Sequence, residues 1–306
     1  MSAERVWEET TLGQLYESGR KKLEESGVPD AALDARLLLL EAFDLNFASF
    51  LTRRDQPLFK QAIGGEEEIY RLKQAAEQYE QAVLARAERI PLQHLTGCQC
   101  FMGLEFKVNE WVLIPRQDTE TLVERVLEEN RAILDVCTGS GCIAISLVKL
   151  GEYRSVTALD ISKEALKVAE ANRERILGEE KERLRLIKSD MFEGLEPKAQ
   201  FDVIVSNPPY IPSEVIRGLE PEVRDHEPLG ALDGKEDGLY FYRILAEQCG
   251  DFLNQGGSVY FETGHDQGAA VKTLLESHGF QDTKVIKDLA GMDRVVRGTW
   301  PGQIRK

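Results

Sequence analysis

Long apolar runs are missing from this 306-residue chain. The densest, Leu37-Leu38-Leu39-Leu40, is interrupted by Glu41, far short of the roughly 20 apolar residues that a membrane helix needs. No membrane partner is therefore expected. Basic residues are also scarce: 38 Lys and Arg stand against 53 Asp and Glu, for a net charge of −15. A protein that grips nucleic acid needs a basic face, because neutralising phosphates dominates the affinity. A local basic patch remains open, but the balance predicts a protein or small-molecule substrate rather than direct nucleic-acid binding. The five cysteines show no paired metal spacing, and Cys98 and Cys100 have no second pair or nearby histidine. His94, His226, His265 and His278 are equally scattered, so no metal is expected, and the odd cysteine count fits a reducing compartment. The start, Met1-Ser2-Ala3-Glu4-Arg5, lacks a basic-then-apolar signal pattern, which makes the cytoplasm the expected location.

What is present is organised in two styles. From Leu12 to about Ile90 the spacing predicts helices, one opening after Val28-Pro29-Asp30 and a long one from Glu66 to Glu88 with Ile69, Leu72, Ala76, Tyr79 and Val83 near one face, preceded by Gly64-Gly65. Two short strands, Cys100–Val108 and Trp111–Ile114, are predicted to form a hairpin about Asn109-Glu110. Beyond Pro115, strands are expected at 132–136, 155–159, 184–187, 201–205, 258–261, 283–286 and 294–297. Helices are expected between them at 142–149, 163–175, 238–253 and 267–278. Such alternation implies βαβ units and a mostly parallel sheet covered on both faces. The longest irregular stretch, Pro208 to Asp237, follows the fourth of these strands, and long loops in such places are usually functional.

Three loops at strand ends carry the chemistry. Asp135-Val136-Cys137-Thr138-Gly139-Ser140-Gly141 joins a strand to a helix, where glycine permits tight turning and close approach of backbone to a ligand. It lacks both the dinucleotide fingerprint and the Lys-Ser/Thr ending of a phosphate loop. Asp160, about 25 residues beyond Asp135, ends the next strand, where a carboxylate accepts hydrogen bonds from ribose hydroxyls. Together these suit S-adenosylmethionine, a nucleoside with an amino-acid tail, with a nicotinamide dinucleotide as the alternative. Ser189-Asp190-Met191-Phe192 ends the third strand; Asp190 and Met191 are candidates for the adenine site or, alternatively, a turn cap and a core residue. Cys137 reads as a packing residue, because nothing in the sequence nearby activates its thiol.

The most informative segment is Asn207-Pro208-Pro209-Tyr210, directly after the apolar strand Phe201–Ser206. An Asn stiffened by two prolines at a strand's carboxyl end presents fixed carbonyl acceptors, suited to a planar, weakly nucleophilic NH2 group. Tyr210 offers a flat face to the substrate plane and a π-surface to a cationic methyl donor. A simple strand-ending turn is the alternative. Arg116, after Pro115, reads equally as a surface charge or a substrate contact.

These motifs give the chain a close resemblance to the release-factor-specific protein-(glutamine-N5) methyltransferases, the PrmC or HemK family. The resemblance runs through Leu33-Asp34-Ala35-Arg36-Leu37-Leu38, Pro91-Leu92-Gln93-His94-Leu95-Thr96-Gly97, Val112-Leu113-Ile114-Pro115-Arg116 with Asp118-Thr119-Glu120, the glycine loop, Asn207 to Pro212, and Glu227-Pro228 leading to Ala231-Leu232-Asp233-Gly234. It implies an α/β fold: a seven-stranded, Rossmann-like S-adenosylmethionine-dependent methyltransferase domain over 116–306, preceded by a helical substrate-recognition domain (1–90) and a β-hairpin linker (91–115). It also implies that Cys137, Thr138, Gly139, Ser140, Gly141, Asp160, Met191 and Asn207 contact the cofactor. Asn207, Pro208, Pro209 and Tyr210 are then expected to bind the substrate glutamine, with Asn207, Pro208 and Tyr210 as the catalytic set. The implied target is the glutamine of the Gly-Gly-Gln motif in peptide-chain release factors. Alternatives are a ribosomal-protein glutamine, a nucleic-acid base amine, or a noncatalytic S-adenosylmethionine-binding module. Two departures stand out: Cys137 replaces the commoner glycine, and Met191 stands where relatives often carry an aromatic.

Overall fold

A seven-stranded sheet organises the larger part of the chain. The structure, a computed structural model, describes residues 9–61, 65–129, 132–151, 155–197 and 199–302. The chain divides into two compact units, Met1–Thr96 and Gly97–Lys306. The first comprises helices α1 (Leu12–Glu25), α2 (Ala31–Ala42), α3 (Phe47–Arg53), α4 (Glu66–Ala87) and α5 (Leu92–Thr96). Thr11 and Gln14 form a reciprocal capping box that starts α1, satisfying two of the backbone donors left open at a helix start. Leu15, Leu23, Leu38, Leu39, Phe50, Ala76, Tyr79 and Val83 make its core. Gly19 lets α1 approach α4, since a methyl group there would overlap the Tyr79 hydroxyl. Asp34, part of the family-like segment, lies buried in a 2.7 Å ion pair with Arg86. Its role is thus within the fold of this unit.

The second unit opens with a hairpin of β1 (Cys98–Phe101) and β2 (Leu104–Lys107). This corrects the expected register. The chain turns at Met102 and Gly103, both at positive φ (52° and 72°), the conformation of a two-residue turn whose twist matches the strands. Residues 111–114 are not a strand; Val112 N–H donates to the Asn109 carbonyl at 3.2 Å in a local turn. The hairpin belongs to the same unit as the sheet, and Phe101 and Phe106 are fully buried in the core shared with α7 (Cys142–Leu150).

The sheet runs β5 (Leu184–Lys188), β4 (Val156–Asp160), β3 (Ile133–Val136), β6 (Phe201–Ser206), β7 (Leu253–Glu262), β9 (Asp293–Thr299), β8 (Gln281–Lys287). Strands β3 to β7 run parallel to one another, while β9 is antiparallel to both β7 and β8. Alternate residues feed two cores, as a pleat requires. Ile133, Val203 and Val205 face α6 (Glu120–Val126) and α7, whereas Leu134, Val136 and Ile204 face α12 (Tyr240–Phe252) and α13 (Gly268–Ser277). Coverage on both faces explains why β3 and β6 read as mostly apolar, with Asp135 and Asp202 the acidic residues within them. The expected irregular stretch after β6 contains three helical turns, at Ser213–Ile216, Pro221–His226 and Leu229–Leu232. No described helix is long and apolar enough to cross a membrane.

Candidate active site

From β3 the chain proceeds outward to β4 and β5, then returns so that β6 lies on the other side of β3. Loops leaving the carboxyl ends of β3 and β6 therefore diverge, and a crevice opens between them, the usual ligand position in open α/β sheets. A cavity of about 510 Å³ lies there, within the range of small-molecule sites. Its wall includes Cys137, Thr138, Gly139 and Ser140 after β3, Asp160 after β4, Asp190 and Met191 after β5, and Asn207 and Pro209 after β6. The strand order thus collects four sequence-distant loops into one site. Gly141, Pro208 and Tyr210, expected in the same site, are not in its lining.

The glycine loop is held by its own backbone and by the next strand. Gly139 N–H donates to Asp160 Oδ2 at 2.8 Å, and Ser162 N–H donates to Asp160 Oδ1 at 2.8 Å. Thr138 Oγ1 donates to the buried Asp135 Oδ2 at 2.6 Å. A side chain on Gly139 would meet nothing within 4 Å, so that position is open to a ligand. Gly141 differs: a methyl there would press on Ile145 and Ala169, so its lack of a side chain serves the packing of α7 on α8 (Lys163–Leu177). Asn172 on α8, buried and missed from the sequence, bonds Lys107 N–H at 2.7 Å and the Lys107 and Ser140 carbonyls at 3.0 Å. It thereby ties hairpin, helix and glycine loop together.

Both departures from the family pattern sit in left-handed backbone, Cys137 at φ 65° and Met191 at φ 43°. Glycine takes that conformation without strain, which accounts for a glycine preference at the first position. Burial, reinforced by the nearby Asp160 and Asp135 carboxylates, pushes the Cys137 thiol well above its ordinary range. It therefore stays protonated and is no nucleophile.

At Asn207 the side-chain Nδ2 donates to Thr119 Oγ1 at 3.3 Å, leaving Oδ1 as the acceptor available to a ligand. Behind this pair lies Glu262, the last residue of β7, 1% exposed. Burial pushes its carboxyl up to about 7, partly offset by the Thr119 hydroxyl, the Arg294 charge and the Asn207 amide. Sequence reasoning passed over Glu262; the available signal was an acidic residue directly after the apolar run Val259-Tyr260-Phe261, where β7 ends beside the end of β6. Pro208 and Pro209 are buried. The Tyr210 carbonyl accepts from Gln267 Nε2 at 2.9 Å. Side chains on Gly234 or Gly238 would collide with the Tyr210 backbone, so the loop after β6 is fixed by close packing. Burial raises the Tyr210 phenol above its ordinary value, keeping it neutral.

Arg116 lines the cavity and pairs at 2.5 Å with Glu227, whose side chain is 1% exposed. The pair pins residues 228–231 at the cavity wall, so Arg116 is neither a free surface charge nor a group committed to ligand alone. Trp111 and Leu229, both exposed, form apolar wall.

The residues present fit S-adenosylmethionine. Asp160 is mostly buried and its pKa is raised, chiefly by burial. Each carboxylate oxygen accepts one backbone N–H and keeps lone-pair capacity for ribose hydroxyls. Gly139 leaves open space, and the carboxylates around the loop favour a cationic sulfonium over an anionic phosphate. Among the described residues no group of His, Cys, Asp and Glu is arranged to hold a metal ion.

Comparison with known proteins agrees with this geometry. Residues 14–97 match the PrmC N-terminal domain and residues 117–217 the Methyltransferase small domain. A release factor glutamine methyltransferase of Geobacter sulfurreducens is 38% identical over 96% of this chain and 97% of its own. One of Moorella thermoacetica is 41% identical over 93% and 96%. The crystal structure of a methyltransferase from Pyrococcus furiosus, 23% identical, superposes with a TM-score of 0.50, covering 66% of this chain and 91% of that one. The last likeness speaks for the fold alone, but the sequence relatives span nearly the entire chain, and the chain belongs to the release factor glutamine methyltransferase family.

Proposed function

We propose that the enzyme transfers the methyl group of S-adenosylmethionine to the side-chain amide nitrogen of a glutamine in peptide-chain release factors, specifically the glutamine of their Gly-Gly-Gln motif. The observation that carries this reading is Asn207: its amide nitrogen is engaged by Thr119 at 3.3 Å, so its oxygen is the polar atom left for a substrate NH2 beside a cofactor-sized cavity. Relatives along the whole chain bear the release-factor name.

S-adenosylmethionine, when bound, supplies an electrophilic methyl group on sulfur. Asp160 would take its ribose hydroxyls, and Met191 and Asp190, which line the same cavity, would border its adenine. Asn207 Oδ1 and the Pro208 carbonyl accept the two amide hydrogens of the glutamine, turning the nitrogen's lone pair out of conjugation and toward the methyl. The neutral Tyr210 ring supports the glutamine plane. Positioning carries most of the rate gain, where well-oriented reactants lower barriers by roughly 7–11 kcal/mol. The methylated nitrogen is acidic enough to release its proton to water, so no strong base is needed. The helical domain, residues 1–90, and the hairpin are assigned to recognising the release factor around its target loop.

The test is incubation with labelled S-adenosylmethionine and, separately, a release factor, a ribosomal protein and DNA, with the methyl group mapped by mass spectrometry. Methyl on the Gly-Gly-Gln glutamine is expected; label on nucleic acid, or none on release factor, overturns the reading. Asn207→Ala is expected to keep the fold and lose about 100-fold or more in kcat, the size of effect seen on deleting one transition-state hydrogen bond. Near-normal turnover would remove Asn207 from the mechanism.

A further inference from the structure

We infer that Glu262 and Thr119 are positioning residues that fix which way the Asn207 amide faces. The inference rests on the glutamine reading above and deepens it. An Asn side chain carries an acceptor at one corner and a donor at the other, and rotation by half a turn exchanges them. A substrate NH2 is held only when the oxygen faces it. Nothing in Asn207 itself selects that orientation.

Its surroundings do. Thr119 and Glu262 are 2% and 1% exposed. Asn207 Nδ2 donates to Thr119 Oγ1 at 3.3 Å, and the parallel pairing of Ser206 with Phe261 sets Glu262 beside Asn207 across the β6–β7 ladder, close enough that Thr119 and Asn207 both stabilise its ionised form. Glu262 Oε2 is buried with no bonded partner. Above its raised pKa of about 7 the carboxyl is ionised and only accepts, so at pH 8 it attracts the amide nitrogen of Asn207 and repels the oxygen. Arg294 of β9 supplies the compensating cation, itself held by Asp118 at 3.0 Å and Asp288 at 3.1 Å. Glu262, Arg294 and Asp118 thus form a charge network beside the Thr119–Asn207 contact. Glutamine at 262 would have the same shape yet could donate to Asn207 Oδ1, drawing the acceptor away from the cavity.

The experiment compares wild type, Glu262→Gln, Thr119→Val and Thr119→Ser, using the full chain with S-adenosylmethionine and an intact release factor. Glu262→Gln is expected to lower kcat about 100-fold, with cofactor Kd within about twofold and no fall in melting temperature at pH 8. Thr119→Val should show the same split, and Thr119→Ser should recover most of the lost kcat. A merely structural role predicts parallel losses of stability, cofactor affinity and rate. A kcat for Glu262→Gln within about threefold of wild type overturns the inference. Should that variant not fold, the Val and Ser pair decides it alone: equal rates for the two overturn it. Hydrogen exchange of the Asn207 side-chain NH2, followed by NMR, separates this inference from the choice of substrate. Slow exchange in wild type and fast exchange in Glu262→Gln support the clamp even if release factor is not methylated, while identical exchange in both refutes it.

Discussion

Replacing Asp160 with Asn separates what the carboxylate does for the fold from what it does for the cofactor. In the structure its two oxygens accept the Gly139 and Ser162 N–H groups, each at 2.8 Å. Asn has one acceptor oxygen, so one of these N–H groups must face an NH2, and the neutral oxygen left is a weaker acceptor. Hydrogen bonds to charged groups contribute about 1.5–3 kcal/mol each. Losing the ribose acceptor and loosening Gly139 together therefore costs about 3 kcal/mol of binding, or roughly 100-fold in Kd. Stability should respond differently. The folded-state pKa of Asp160 is raised because burial outweighs its backbone hydrogen bonds, so a neutral group escapes a desolvation cost that offsets the lost bond. Calorimetric titration with S-adenosylmethionine should show the weakened Kd, while the melting temperature without cofactor shifts by only a few degrees. A Kd within about threefold of wild type would refute the assignment of Asp160 to the ribose.

The buried Glu262 makes a pH prediction. Its carboxyl is pushed from 4.5 to about 7 on folding, first by burial, so the folded state holds the proton more tightly than the unfolded state. The associated stability is fully present below the unfolded value and is lost as pH rises through about 7, amounting to about 3 kcal/mol. Urea midpoints at pH 5 and pH 8 should differ in wild type and differ less in Glu262→Gln; an unchanged difference would show that the group does not titrate on folding. The groups facing it, Arg294, Asp118, Thr119, Asn207 and Tyr210, remain in that variant, so the comparison isolates one carboxyl. Gly19→Ala is expected to destabilise the first unit despite the better helix propensity of Ala, worth up to about 1 kcal/mol. The added methyl overlaps the hydroxyl of Tyr79, a fully buried ring that has nowhere to move; overpacking costs about 1–3 kcal/mol. A melting temperature at or above wild type would disprove that contact.

Periodicity alone placed most of the elements. β3 and β6 could be read because both faces are buried, leaving mostly apolar runs, and α4 because its apolar residues keep to one face. The hairpin register could not, since Met102 adopts positive φ although its side chain favours no such turn; Gly103 was the overlooked marker. Residues 111–114 have the composition of a strand, but β pairing needs a neighbour, and the chain supplies none there. Gly141 shows the same limit at the site: sequence grouped it with Gly139, yet packing against Ala169 and Ile145 gives it a different task.

The sequence by itself determined the reaction class and marked its candidate groups, because a glycine loop, an acidic strand end and Asn207-Pro208-Pro209-Tyr210 are local patterns whose chemistry depends on residue type and position along a strand. Only the tertiary structure decided how those groups are aimed. Thr119, Glu262 and Arg294 are separated from Asn207 by long stretches of chain; the strand order that makes β7 the neighbour of β6, and β9 the neighbour of β7, brings Glu262 and Arg294 to it, while Thr119 comes from the turn that opens α6. The orientation of an amide depends on donors and acceptors contributed by other strands, and no local pattern encodes which strands will be adjacent.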